Sequence, residues 1–158
     1  MTTRVLLLTL CIGLAHAKTG SAQQKPDLSG DWVLNAEKSD LGPIPPPQCV
    51  GLKIAQKGSE FAIAEVDARG ATCGLTLNYT IDGQAITYTT PAGVRNRARA
   101  AWVDAAVVTQ RVGDDGISVR VESSLSSDGN TLVRMLHGEA AQGSADWTYV
   151  YDRVVRKE

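Results

Sequence analysis

Trp147, Tyr149, Tyr151 and Arg153 alternate along the last β-prone run of this 158-residue chain, so on a strand they share one face. An aromatic face that ends in a guanidinium can hold the tail and the carboxylate of an amphipathic molecule, or Trp147 and the tyrosines can instead close the core. A second alternation occupies residues 94–102, with Asn96, Ala98, Ala100 and Trp102 on one face and Arg95, Arg97 and Arg99 on the other. With the arginines inward, the run is a dense anion clamp. With Trp102 inward, two alanines fill little volume and the arginines are solvated. Burying three guanidinium groups without matched carboxylates costs several kcal/mol each, which favours the solvated arrangement. Trp102, Tyr149, Tyr151, Arg97 and Arg134 are the candidate ligand-binding residues.

The raw material for catalysis is thin. His137 stands alone beyond the first seventeen residues, and a lone His at a strand end is usually structural or exposed. Asp114-Asp115 sits in a Gly-flanked turn, where Asp is favoured for backbone reasons. Ser123-Ser124 lacks a nucleophile elbow, and neither a Gly-rich phosphate loop nor a carboxylate-rich metal motif occurs. The reading is a non-enzyme with no cofactor and no metal.

The elements that position these residues read as β throughout. Short β-prone runs alternate with turn residues: Lys57-Gly58-Ser59, Arg69-Gly70, Asp82-Gly83, Pro91-Ala92-Gly93, Gly113-Asp114-Asp115-Gly116 and Asp128-Gly129. Asp82-Gly83 is the strongest hairpin signal, because a two-residue turn with both residues at positive φ favours Asp-Gly. Residues 28–34 form the first strand, Asn35 caps a helical turn through Leu41, and the Pro-rich stretch 43–47 is extended. The pattern predicts an all-β fold: a single antiparallel up-and-down β-barrel of about 8–10 strands, since closure removes exposed edges. Small inward residues such as Ala62 and Ala64, with one Phe in the chain, leave a cavity and a filled core equally open.

A chain of this length suits one domain. Residues 1–17 carry a basic Arg4, an apolar run and an Ala15-His16-Ala17 site, the pattern of a secretory signal peptide too short to span a membrane. Cleavage after Ala17 or Ala22 leaves the domain at residues 23–158, periplasmic or secreted. Two cysteines then remain, Cys49 and Cys73, and in an oxidising compartment they are most simply a disulfide. A net charge of −1 points to neither nucleic acid nor an anionic membrane.

The run Leu28-Ser29-Gly30-Asp31-Trp32-Val33-Leu34-Asn35-Ala36-Glu37-Lys38-Ser39, the Pro-rich loop, the Asp-Gly turns and the terminal Tyr151-Asp152-Arg153 resemble the secreted bacterial lipocalin-like domains. The resemblance implies that Gly30 and Trp32 close one barrel end with Arg153 laid across the Trp. It also implies a small apolar or amphipathic ligand in the cavity. The related fatty-acid-binding barrels begin with a similar Gly-x-Trp strand and then use two helices as a lid, where this chain has Pro43 to Pro47. A second resemblance rests on Gly30-Asp31-Trp32-Val33-Leu34, Cys49 and Gly70-Ala71-Thr72-Cys73, which are similar to periplasmic barrel inhibitors of secreted metalloproteases. It implies that the segment before the first strand, residues 23–27, enters a protease cleft. A structural or envelope-interaction domain with a filled barrel and no ligand is the remaining alternative.

Overall fold

The computed structural model describes residues 25–42 and 49–155; the signal-like stretch, both cleavage points and the Pro43 to Pro47 loop lie outside the described residues. Within them, hydrophobic alternation sets strand after strand. In β6 (Arg95–Val103) every second residue from Asn96 to Ala100 is buried and the arginines between them are exposed. β8 (Ser118–Leu125) repeats the pattern with Val119, Val121 and Ser123 inward. The other strands are β1 (Gly30–Leu34), β2 (Gly51–Lys57), β3 (Glu60–Val66), β4 (Thr72–Thr80), β5 (Asp82–Thr89), β7 (Ala106–Gly113), β9 (Thr131–Ala140) and β10 (Gly143–Arg153).

All ten belong to one antiparallel sheet in the order β4-β3-β2-β1-β10-β9-β8-β7-β6-β5. β1 pairs with both β2 and β10, so the sheet curls into a nearly closed barrel whose seam lies between β4 and β5. The Asp82-Gly83 turn falls at that seam. Gly83 has φ +86° and Asp82 Oδ1 accepts from Gln84 N, yet the two strands it joins form no ladder. Ile81 N donates instead to the Ser59 carbonyl. The strongest turn signal in the sequence therefore makes no hairpin: Asp82 lacks the positive φ expected of it, pairs with Ala101, and opens β5 with Gly83.

The stretch after β1 forms a turn rather than the expected short helix. Asn35 Oδ1 accepts from Lys38 N, and Asp40 then bridges to Thr148 of β10. Cys49 and Cys73 are disulfide-bonded, with Cα atoms 5.8 Å apart. They sit on the approach to β2 and on β4, with β3 between them. At that point β3 departs from the ladder, and the Glu65 side chain accepts from Leu75 N in place of a backbone bond.

The core lies at the end where β1 starts and β10 finishes. Leu28 and Trp32 are buried there with Ala98, Ala100, Val107 and Leu132. Trp32 Nε1 donates to the Leu28 carbonyl, and the Arg153 guanidinium lies 4.2 Å from the centroid of the Trp32 ring. Arg153 also donates to the carbonyls of Ser29 and Gly129, at 2.7 and 2.8 Å. Gly30 has φ +148°, and a Cβ there would come within 2.6 Å of Arg153 Nη1. Those two facts leave glycine as the only comfortable residue at this position.

Candidate ligand-binding cavity

The other half of the barrel is not filled. Inward residues of β2 to β5 and β7 to β10 enclose a cavity of about 420 Å³, within the range of small-ligand pockets. Leu52, Leu75, Leu77, Val119, Val121 and Leu136 supply its apolar wall. A smaller chamber of about 60 Å³ adjoins it, sharing Glu65, Leu75, Leu77, Tyr79 and Arg134 and adding Phe61 and Ser123.

Polar groups converge on this apolar space. Tyr79 of β4, Tyr88 of β5, and Tyr149 and Tyr151 of β10 line it, with Arg111 of β7 and Arg134 of β9. Strand pairing sets Arg134 opposite Tyr149, and Leu132 opposite Tyr151. Burial pushes the Tyr79 hydroxyl up to about 12. Burial also raises Tyr88, Tyr149 and Tyr151, while for Tyr151 the Arg134 charge pulls the other way. All four phenols keep their protons at neutral pH and can donate to an acceptor.

The charges do not balance. Two guanidinium groups face one carboxylate, Glu65, whose Oε2 is engaged by Leu75 N. No ion pair joins Glu65 to either arginine. Arg111 Nη1 donates to Asn96 Oδ1 at 3.0 Å, a neutral partner that is itself buried. Arg134 Nε and Trp147 Nε1 are buried with no partner in good hydrogen-bond geometry among the described residues, although the Arg134 and Trp147 side chains come close enough to the Tyr151 and Tyr149 hydroxyls to offset part of the burial-driven rise in those pKa values. A buried donor left unsatisfied costs about 1–3 kcal/mol, a cost that an acceptor entering this space would relieve.

Of the residues singled out from the sequence, Tyr149, Tyr151 and Arg134 meet at this cavity and two do not. Arg97 is exposed on the outer face of β6, beside Gly83, Ala85 and Val112, because alternation that buries Ala98 turns it to solvent. Trp102 does face inward, but near the closed end, where the Lys25 ammonium sits 5.4 Å from its ring centroid. Neither lines the cavity. Arg111, Tyr79, Tyr88 and Glu65 are cavity residues that sequence reading missed. The signal for Arg111 was available: it extends the inward series Val107, Thr109 of β7 and is the charged residue in it.

His137 lies outside the cavity. Its Nδ1 is 2.6 Å from Asp146 Oδ1 and its Nε2 is 3.3 Å from Glu139 Oε1, contacts that raise its pKa. Among the described residues no group of three or more His, Cys, Asp or Glu side chains is placed to hold a metal ion. No helix among them is long and apolar enough to cross a membrane. The described part of the segment before β1 is tied down: Lys25 Nζ donates to the Asp104 carbonyl and Gln56 Nε2 to that of Pro26.

No protein-family model matches the chain, and no curated protein matches it in sequence. Solved structures do. A fatty acid transporter designated REP1-NXSQ superposes with a TM-score of 0.58 at 15% identity, over 82% of this chain and 98% of the transporter. Zebrafish ileal bile acid-binding protein, solved with cholic acid, gives 0.57 at 16% identity over 80% and 98%. Echinococcus granulosus fatty-acid-binding protein 1 gives 0.58 at 14% identity over 80% and 97%. The chain has the fold of a lipocalin-like barrel. At these identities the likeness extends to the fold alone.

Proposed function

We propose that this chain is an exported carrier that holds a small amphipathic anion inside its barrel. The acid group sits at Arg134, flanked by Tyr149 and Tyr151, and the apolar remainder runs along Leu75, Leu77, Val121 and Leu136. The observation that carries this reading is the Arg134 guanidinium, facing an apolar cavity with Nε buried and unpartnered and with no carboxylate paired to it. A half-buried cation of this kind gains from an incoming anion, because charge-assisted hydrogen bonds strengthen as water is excluded. Fatty-acid- and bile-acid-binding proteins among the structural neighbours support a hydrophobic cargo. Export rests on the signal-like pattern of residues 1–17 and suits the Cys49–Cys73 disulfide.

The cavity weighs against a filled structural domain. The anchored Lys25 and Pro26 weigh against a free inhibitory arm. The test combines denaturing extraction of the purified mature protein, read by mass spectrometry, with titration of dodecanoic acid against its methyl ester. The acid is expected to bind more tightly than the ester, and Arg134→Met to remove a preference of tenfold or more. If nothing is extracted and neither compound binds, the carrier reading fails.

A further inference from the structure

Arg111 and Trp147 border two spaces at once: the inner cavity, and a depression of about 390 Å³ at the open end of β7 to β10. They stand at one level of the barrel wall. Arg111 pairs with Val119 and Val119 with Gly138. The Trp147 indole lies over Gly138, where a Cβ would come within 2.7 Å of the ring. That level is displaced from Arg134 by four residues of β9, roughly 13 Å of strand.

Both groups hold donors in reserve. Arg111 spends one N–H on Asn96 Oδ1 and makes no ion pair among the described residues, so most of its five donors are available. The nearby acids are engaged elsewhere: Asp115 accepts from Ile117 N, and Glu139 from Ser118 Oγ while facing His137. Trp147 Nε1 is buried with no acceptor in good hydrogen-bond geometry among the described residues, its side chain being felt by the Tyr149 hydroxyl. A donor pair at the mouth, with the Arg111 level four strand residues from the cationic group deeper in, suits a molecule with oxygen acceptors at both ends.

We propose that Arg111 and Trp147 form a second acceptor site at the cavity mouth, so that the chain selects a bipolar amphiphile, with an acid group at each end, over a monocarboxylic acid of equal length. This rests on the anion-carrier reading, in which Arg134 takes the first acid group. An aliphatic chain between the two acids lies along the leucines and valines of the wall. The second acid replaces water at Arg111 and gives the Trp147 indole the acceptor it lacks.

Calorimetric titration with dodecanoic acid and dodecanedioic acid separates the two readings. In the mature protein the diacid binds about tenfold more tightly than the monoacid, the effect of one added hydrogen-bonded ion contact. Trp147→Phe and Arg111→Gln each bring the diacid to within about twofold of the monoacid, the ratio of the two affinities being measured on each variant so that a general loss of binding is not mistaken for loss of the second site. Trp147→Phe keeps a ring over Gly138, so its result stands even if Arg111→Gln does not fold. Equal affinities in the wild-type protein, or a diacid preference that survives Trp147→Phe, overturn the second site while the carrier reading stands. Failure of both acids to bind overturns both.

Discussion

Arg153 holds the closed end with one guanidinium that does two things: it covers the Trp32 ring, and it donates to the carbonyls that flank the first strand and the β8–β9 turn. Gly30 leaves the space that makes this possible. Arg153→Met preserves apolar cover over Trp32 but removes both hydrogen bonds, and should cost about 2 kcal/mol. Gly30→Ala imposes a strained φ and displaces the guanidinium, for about 2–3 kcal/mol. Because part of the second cost is the loss of Arg153's contacts, the double variant should be less destabilised than the sum, by about 1 kcal/mol. Urea unfolding of the four proteins checks this; strict additivity would show that the two residues act independently. At this scale the sequence conveys which face a residue occupies and little about its depth. The alternation in β6 separates Trp102 from the arginines, but Trp102 sits near the closed end, below the cavity, and depth depends on how strands stagger around the barrel. Arg111 escapes notice for a related reason. One charged residue among inward positions looks like an error of phase until the cavity it faces is seen.

The elements were more legible than their pairing. Ten runs of alternating residues bounded by turn chemistry become ten strands, because a face that is buried fixes its own register. What the local signals leave out is which neighbouring strands bond. Gly83 takes the positive φ such a turn needs, but Asp82 does not, and the pair opens β5 at the seam instead of closing a hairpin. The cysteines show the same gap: they meet across β3, where Glu65 slips out of the ladder, and their spacing alone suggests adjacent strands. That crossing ties three strands together at the rim of the cavity, which Cys49 lines. Opening the bridge should lower unfolding free energy by about 3 kcal/mol through the released loop. Cys49→Ser with Cys73→Ser, compared with the oxidised protein in urea, measures the loss, and thiol counting in denaturant gives the redox state. Two free thiols per mature wild-type protein, or a loss under about 1 kcal/mol, would remove the disulfide from the stability argument.

At the scale of the whole molecule the barrel is divided. Trp32, Leu28 and the small Ala98 and Ala100 fill one half, while the other keeps an apolar space with cations and unsatisfied donors in its wall. A barrel selected only for stability would plug that space with side chains, as inward leucines and valines already do in part. The imbalance therefore has a cost in the empty protein that, on the proposed function, a bound acid would offset, and the two effects have opposite signs for one substitution. Arg134→Met trades a partly desolvated guanidinium for a flexible apolar side chain that fills some of the cavity. Without ligand it should raise stability by about 1–2 kcal/mol, which for a domain of this size is a rise in Tm of roughly 2–8 °C. The wild-type protein should regain that difference and more when dodecanoic acid is present at a hundred times Kd, a stabilisation of about 2.7 kcal/mol, and Arg134→Met should gain far less at the same concentration. Thermal unfolding of both proteins, with and without the acid, makes the comparison. If Arg134→Met melts lower than wild type in the empty state, the guanidinium is a structural member of the barrel and the cavity's charge imbalance is not held in wait for a ligand.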